Sequence, residues 1–119
     1  MKFFKLFLLL FLAVQIHSEQ PKNILFVGNS YLYYNNSVHN YVEPMLKEHY
    51  GSEVETKLSA IGGSKLHHHN IDHLLNPKNL NLDQQIDLLI MQGGSTEVIS
   101  VKDQKNFIQT AKKLSLIHI

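Results

Sequence analysis

Apolar positions in this chain come in short runs that stop at glycine. Ile24-Leu25-Phe26-Val27 is an unbroken β-branched, aliphatic and aromatic run closed by Gly28-Asn29-Ser30, the pattern of a strand buried on both faces, as in a parallel sheet. Residues 53–61 alternate in part and end at Gly62-Gly63, and residues 86–91 form a third run that ends at Gln92-Gly93-Gly94-Ser95. Helical spacing fills the gaps. Val38, Tyr41, Val42, Met45, Leu46 and Tyr50 recur every three or four residues, which predicts one apolar helix face ending near Gly51. Pro44 removes a backbone donor, so the regular helix is expected to begin near Glu43 or to kink there. Ser64 fits the N-cap of a helix over residues 65–75, closed by Asn76-Pro77, with a polar connection over residues 79–85. A last helix is expected from about Val101, with Phe107, Ile108, Ala111 and Leu114 on its apolar side. Strands alternating with helices imply an α/β fold with a parallel sheet and right-handed crossovers. The carboxyl ends of its strands would gather Ser30, Gly63 and Gln92 at one edge, where open α/β sheets bind ligands.

Residues 1–18 have a different character. Lys2 and Lys5 precede an uncharged run from Leu6 to Val14, and Ile16-His17-Ser18 places a small residue before Glu19. That layout is a secretory signal peptide, and the run is well short of the roughly 20 apolar residues a membrane span needs. Cleavage after Ser18 is expected, giving a secreted or periplasmic product with no stable membrane anchor and one domain over residues 19–119. Without Lys2 and Lys5, nine lysines face ten acidic residues. The mature domain is therefore close to neutral. Arginine is absent, which removes the side chain best suited to bidentate capture of phosphate or base edges and argues against a nucleic-acid partner. Cysteine is absent too, so neither a disulfide framework nor thiolate metal ligation is available.

Ser30, at a strand end, is the first candidate nucleophile, although Gly-Asn-Ser is also an ordinary turn. Tyr31, Tyr33 and Tyr34 follow it. Their rings either line a sugar-binding surface or pack beneath the loop. Asn35-Asn36-Ser37 matches an N-glycosylation sequon, relevant only in a eukaryotic host. His69 and His73 stand four apart and would share a helix face, but two ligands without an acidic third do not make a zinc site. A solvated, weakly titrating cluster of His67, His68, His69 and His73 is expected instead, with no metal and no cofactor.

Taken in order, Gly28-Asn29-Ser30, Gly62-Gly63-Ser64 and Gln92-Gly93-Gly94-Ser95 resemble the first three sequence blocks of the SGNH (GDSL-like) hydrolase superfamily. The opening 24–31 is especially similar to a branch that carries Gly-Asn-Ser where most members carry Gly-Asp-Ser. The resemblance spans about residues 22–95. It implies a three-layer α/β/α, flavodoxin-like fold with only its amino-terminal part present. It further implies an exported serine ester hydrolase acting on small esters or acylated carbohydrates. Ser30 would be the nucleophile, with the backbone N–H groups of Ser30 and Gly63 holding the oxyanion. The position that supplies a side-chain amide in the family falls on Gly94, which has none, and Gln92 is the nearest substitute. The family's base lies in a late Asp-x-x-His motif. His118 has no aspartate three residues before it. The resemblance thus implies the first part of a hydrolase, inactive until extended by that motif. A non-catalytic secreted carbohydrate-binding or structural relative is the alternative.

Overall fold

The computed structural model describes residues 20–51 and 53–118. The expected leader over residues 1–18 lies outside them. The fold is mixed α/β, built on a three-stranded parallel sheet in the order β2-β1-β3. Strand β1 is Asn23–Gly28, β2 is Glu55–Ala60 and β3 is Leu88–Met91. All of β1 is buried, as its apolar run predicts. Its side chains point alternately to the two faces, and each face has its own core. Ile24 and Phe26 pack with Leu32, Val54, Val42 and Leu46. Leu25 and Val27 pack with Leu66, Ile71, Leu74, Leu82, Ile86, Phe107 and Leu114. Burial of each such aliphatic or aromatic side chain is worth about 1.5–3 kcal/mol, which makes β1 the axis of the domain.

The helices are α1 (Ser30–Tyr33), α2 (Val38–Tyr50), α3 (Ile71–Leu74) and α4 (Val101–Leu114), with 3-10 turns at Leu66–His68, Pro77–Leu80 and Ser115–His118. Helix α2 departs from expectation in two ways. It runs from Val38 through Pro44, so of the two alternatives the start near Glu43 does not hold. Its buried stripe is also narrower than the six expected positions: Val42 and Leu46 reach the core, while Tyr41 and Met45 are exposed. What holds it to the sheet is partly polar. Glu43 Oε2 accepts the Thr56 N–H at 3.1 Å and the Thr56 hydroxyl at 2.6 Å, while Lys47 pairs with Oε1.

The helix expected over residues 65–75 is broken into the 3-10 turn Leu66–His68 and α3. Ser64 does not cap it. The Ser64 hydroxyl donates to Gly28 O at 3.3 Å, and Asn70 caps α3 by accepting the His73 N–H. His69 and His73 therefore sit on separate elements and do not share a helix face. Helix α4 forms as expected, with Ser100 capping through the Asp103 N–H, but Ile108 faces solvent. Among the described residues no helix is long and apolar enough to cross a membrane.

Candidate functional site

The sheet register brings the three glycine turns together. Gly28 lies level with Ala60, and Val27 with Met91, so all three strands finish at one height. Ile61 N–H then bonds to Gly28 O at 3.2 Å and Gln92 N–H to Val27 O at 2.8 Å. Beyond this edge lies a cavity of about 370 Å³ lined by residues that include Ser30, Tyr31, Tyr34, Gly63, Ser64 and Gly94. Of the expected site residues, Ser30 and Gly63 line it. Gln92 does not.

Asn29, for which the sequence offers no signal beyond its place in the turn, joins the three turns. Its Oδ1 accepts the Tyr31 N–H at 3.2 Å, capping α1. Its Nδ2 donates to Ser64 O at 3.2 Å and to Gly93 O at 3.3 Å. The amide orientation follows from its partners, since an N–H can meet only the oxygen and two carbonyls only the nitrogen. The Asn29 N–H is in turn accepted by Gln92 Oε1 at 3.2 Å, while Gln92 Nε2 donates to Gly93 O. The side-chain donor expected of Gln92 is thus engaged within its own turn. Gly28 admits this packing only because it lacks a side chain: a Cβ there would stand 2.7 Å from Leu32 Cδ1 and 2.9 Å from Gln92 Oε1.

Gly63 has the opposite reason to be glycine. A Cβ on it would meet nothing within 4 Å, but its φ is +66°. The Ser64 N–H to Ile61 O bond at 3.1 Å closes a β-turn with Gly63 third, where a positive φ marks type II. Gly63→Ala is therefore expected to cost about 1–2 kcal/mol through the backbone alone. A urea unfolding titration checks this, and an unchanged midpoint would contradict it. The N–H groups of Ser30 and Gly63 bond to no group among the described residues. Neither does the Ser30 hydroxyl.

His69 lies beside this edge and differs from the solvated histidine expected. It is 5% exposed. Its Nε2 is 2.8 Å from Gly28 O, and a carbonyl only accepts, so Nε2 carries the proton. Nδ1 then accepts from the Ser59 hydroxyl at 3.0 Å. In this tautomer no lone pair faces Ser64 Oγ, 3.4 Å from Nε2. His69 is a structural donor rather than a base. Burial is the main influence and lowers its pKa, the Gly28 hydrogen bond opposes this, His68 adds to the lowering and Glu97 opposes it. The unfolded chain therefore binds this proton more tightly than the folded one. The His69 contribution to stability is complete above the ordinary histidine pKa of about 6.5 and is lost as pH falls below it. Thermal unfolding of the native chain and of His69→Gln, which keeps a donor for Gly28 O, is expected to converge on acidification from about pH 7. Parallel pH profiles would contradict this assignment.

Glu97 carried no recognisable signal in the sequence. It is 2% exposed, and its carboxylate accepts the Leu66 N–H at 3.1 Å and the Gly94 N–H. Lys65 Nζ meets Asp103 Oδ1 at 2.6 Å on the same side. The Lys65 ammonium and the Ser100 hydroxyl hold the Asp103 carboxyl below the usual carboxylate range. Tyr31 and Tyr34 stand at the cavity 64% and 63% exposed, open to a ligand rather than packed beneath the loop. Among the described residues no group of three or more His, Cys, Asp or Glu side chains is placed to hold a metal ion. Compared with protein-family models, curated proteins and solved structures, the chain matches none.

Proposed function

We propose that this chain is an exported serine ester hydrolase of the SGNH type, with the three-layer α/β/α arrangement of that superfamily and Ser30 as its nucleophile. The observation that carries the reading is the cavity at the strand ends. There Ser30 stands with two backbone N–H groups, its own and that of Gly63, that have no partner among the described residues. Ester cleavage needs this combination: a hydroxyl to attack the carbonyl carbon, and fixed donors for the oxygen that becomes negative as the carbon turns tetrahedral. Each well-aimed donor is worth about 3 kcal/mol in the transition state. Ser30 Oγ forms a bond to the acyl carbon, the leaving alkoxide departs, and water later releases the acid.

The hydroxyl proton needs an acceptor. No histidine bonds to Ser30 Oγ among the described residues, so turnover requires a base from outside them. The exposed Tyr31 and Tyr34 rings suit the faces of a sugar, and an acylated carbohydrate is the substrate class we favour. The nearly neutral, arginine-free composition speaks against nucleic acid. A non-catalytic carbohydrate binder is favoured by the engagement of Gln92 and the lack of a side chain at Gly94. Ser30-dependent release of the aryl alcohol from a short-chain aryl ester, with imidazole supplied as the base, separates the two. A binder retains sugar affinity in Ser30→Ala and cleaves nothing.

A further inference from the structure

We propose that Glu97 is a positioning residue that sets the gap across the cavity, between the wall containing Gly63, Ser64 and Lys65 and the wall containing Gly94, Ser95 and Thr96. The proposal rests on the cavity of the ester-hydrolase reading, but its geometry is independent of the chemistry performed there. The two N–H groups that Glu97 accepts belong to two segments that line that cavity: Leu66 directly follows Gly63, Ser64 and Lys65, and Gly94 directly precedes Ser95 and Thr96. No cationic side chain hydrogen-bonds to it among the described residues; His67 Nδ1, at 3.8 Å from Oε1, lies beyond hydrogen-bonding distance. Removing a carboxylate from water with so little countercharge is unfavourable, and an apolar side chain of similar volume would fill the space without that cost. An apolar side chain could not accept two N–H groups from different turns.

The adjoining glycines fit the same role. A Cβ on Gly93 would stand 2.9 Å from Glu97 Oε2, and one on Gly94 would stand 3.0 Å from Ser64 O. Gly94 thus comes close to the Ser64 carbonyl and the stem of Lys65, and the Glu97 carboxylate, bonded to both segments, fixes how closely they approach. Gly63 lies three residues before Leu66, so a shift of the Leu66 N–H turns the donor that Gly63 presents to the cavity. The Lys65–Asp103 pair is a second tie between the same turn and α4, but it acts through a flexible four-carbon stem.

The test uses the full chain with Glu97→Gln and Glu97→Leu. Glutamine keeps the shape but points its amide nitrogen at one of the two N–H groups. Leucine fills the volume and accepts neither. One readout is the nuclear Overhauser cross-peak between the α-protons of Gly94 and Lys65, which report the gap, with the β1–β2 strand cross-peaks as a measure of folding. The other is the rate at which an aryl acetate, with imidazole supplied as the base, acetylates Ser30. Both variants are expected to keep the strand cross-peaks, lose the cross-wall peak and acetylate about a hundredfold more slowly, the scale of a misplacement of about 1 Å. A cross-wall peak of native strength in a folded Glu97→Leu chain would overturn the proposal whatever the activity. Loss of the strand cross-peaks in both variants would overturn it as well, because Glu97 would then support the fold as a whole. If the native chain is not acetylated at Ser30, the ester-hydrolase reading fails, and the cross-wall peak still decides the role of Glu97.

Discussion

Asn29→Asp is expected to lower the melting temperature by roughly 10–20 °C at neutral pH, from a loss of about 2–4 kcal/mol. The substitution changes one atom in kind and almost nothing in shape. The cap on α1 survives, because a carboxylate oxygen accepts the Tyr31 N–H as well as the amide oxygen does. The other half of the side chain fails. Nδ2 donates to Ser64 O and Gly93 O in a site that is nearly closed to solvent, and an oxygen there would face two carbonyl oxygens with no proton between them. Two hydrogen bonds are lost, two acceptors are left unsatisfied and a charge is buried, each unfavourable on its own. Acidification should narrow the deficit, since a protonated carboxyl recovers one donor. Thermal unfolding of both chains at neutral and mildly acidic pH measures this. A variant as stable as the native chain would mean that Asn29 does not hold the three turns together. The same argument explains why asparagine, rather than aspartate, suits this position: the three turns offer one N–H and two carbonyls, and only an amide complements both.

The sheet was legible because its signal is local. Ile24 to Val27 is apolar without a break, and a glycine follows each of the three runs, so both the strands and the edge where they end could be read from residue order. Element boundaries that depend on tertiary partners were not legible. Ser64 has the chemistry of an N-cap, yet the Gly28 carbonyl, 36 positions earlier in the chain, takes its hydroxyl. That carbonyl also takes the Nε2 proton of His69, which turns an expected surface histidine into a buried one. Tyr41 and Met45 keep helical spacing with Val42 and Leu46, but α2 rests on the sheet along a stripe too narrow to include them. Pro44 lacks an N–H and so signals either a late start or a kink, and the sequence does not choose between them; the helix runs through it because one missing bond is tolerated in a helix that Glu43 ties to Thr56. Ser30 and Gly63 were found through turn chemistry. Asn29 and Glu97 were missed because their partners lie in distant turns, and no spacing rule connects them.

Ser30→Ala is expected to have the largest effect on chemistry. In a serine hydrolase the nucleophile and its base act as a unit, and loss of either removes on the order of a million-fold in turnover. Among the described residues the Ser30 hydroxyl has no base beside it, so a soluble base must take its proton. Imidazole can do so, although without the advantage of a positioned group, which in general acid–base catalysis is worth about 10²–10⁴-fold. With an aryl acetate, Ser30 Oγ bonds to the acetyl carbon, the bond to the aryl oxygen breaks, the aryl alkoxide leaves and the hydroxyl proton passes to imidazole. The serine alkoxide is a far poorer leaving group than the aryloxide, so release of the acetyl group is slower than its transfer and the acetyl-enzyme should accumulate. The most direct measurement is peptide mapping by mass spectrometry of the native chain and of Ser30→Ala after incubation with an aryl acetate and increasing imidazole. An acetyl group on Ser30 that appears faster as imidazole rises is expected, with aryl alcohol release in excess of the Ser30→Ala background. Acetylation confined to lysines and tyrosines, with the same alcohol release from both chains at every imidazole concentration, would contradict it.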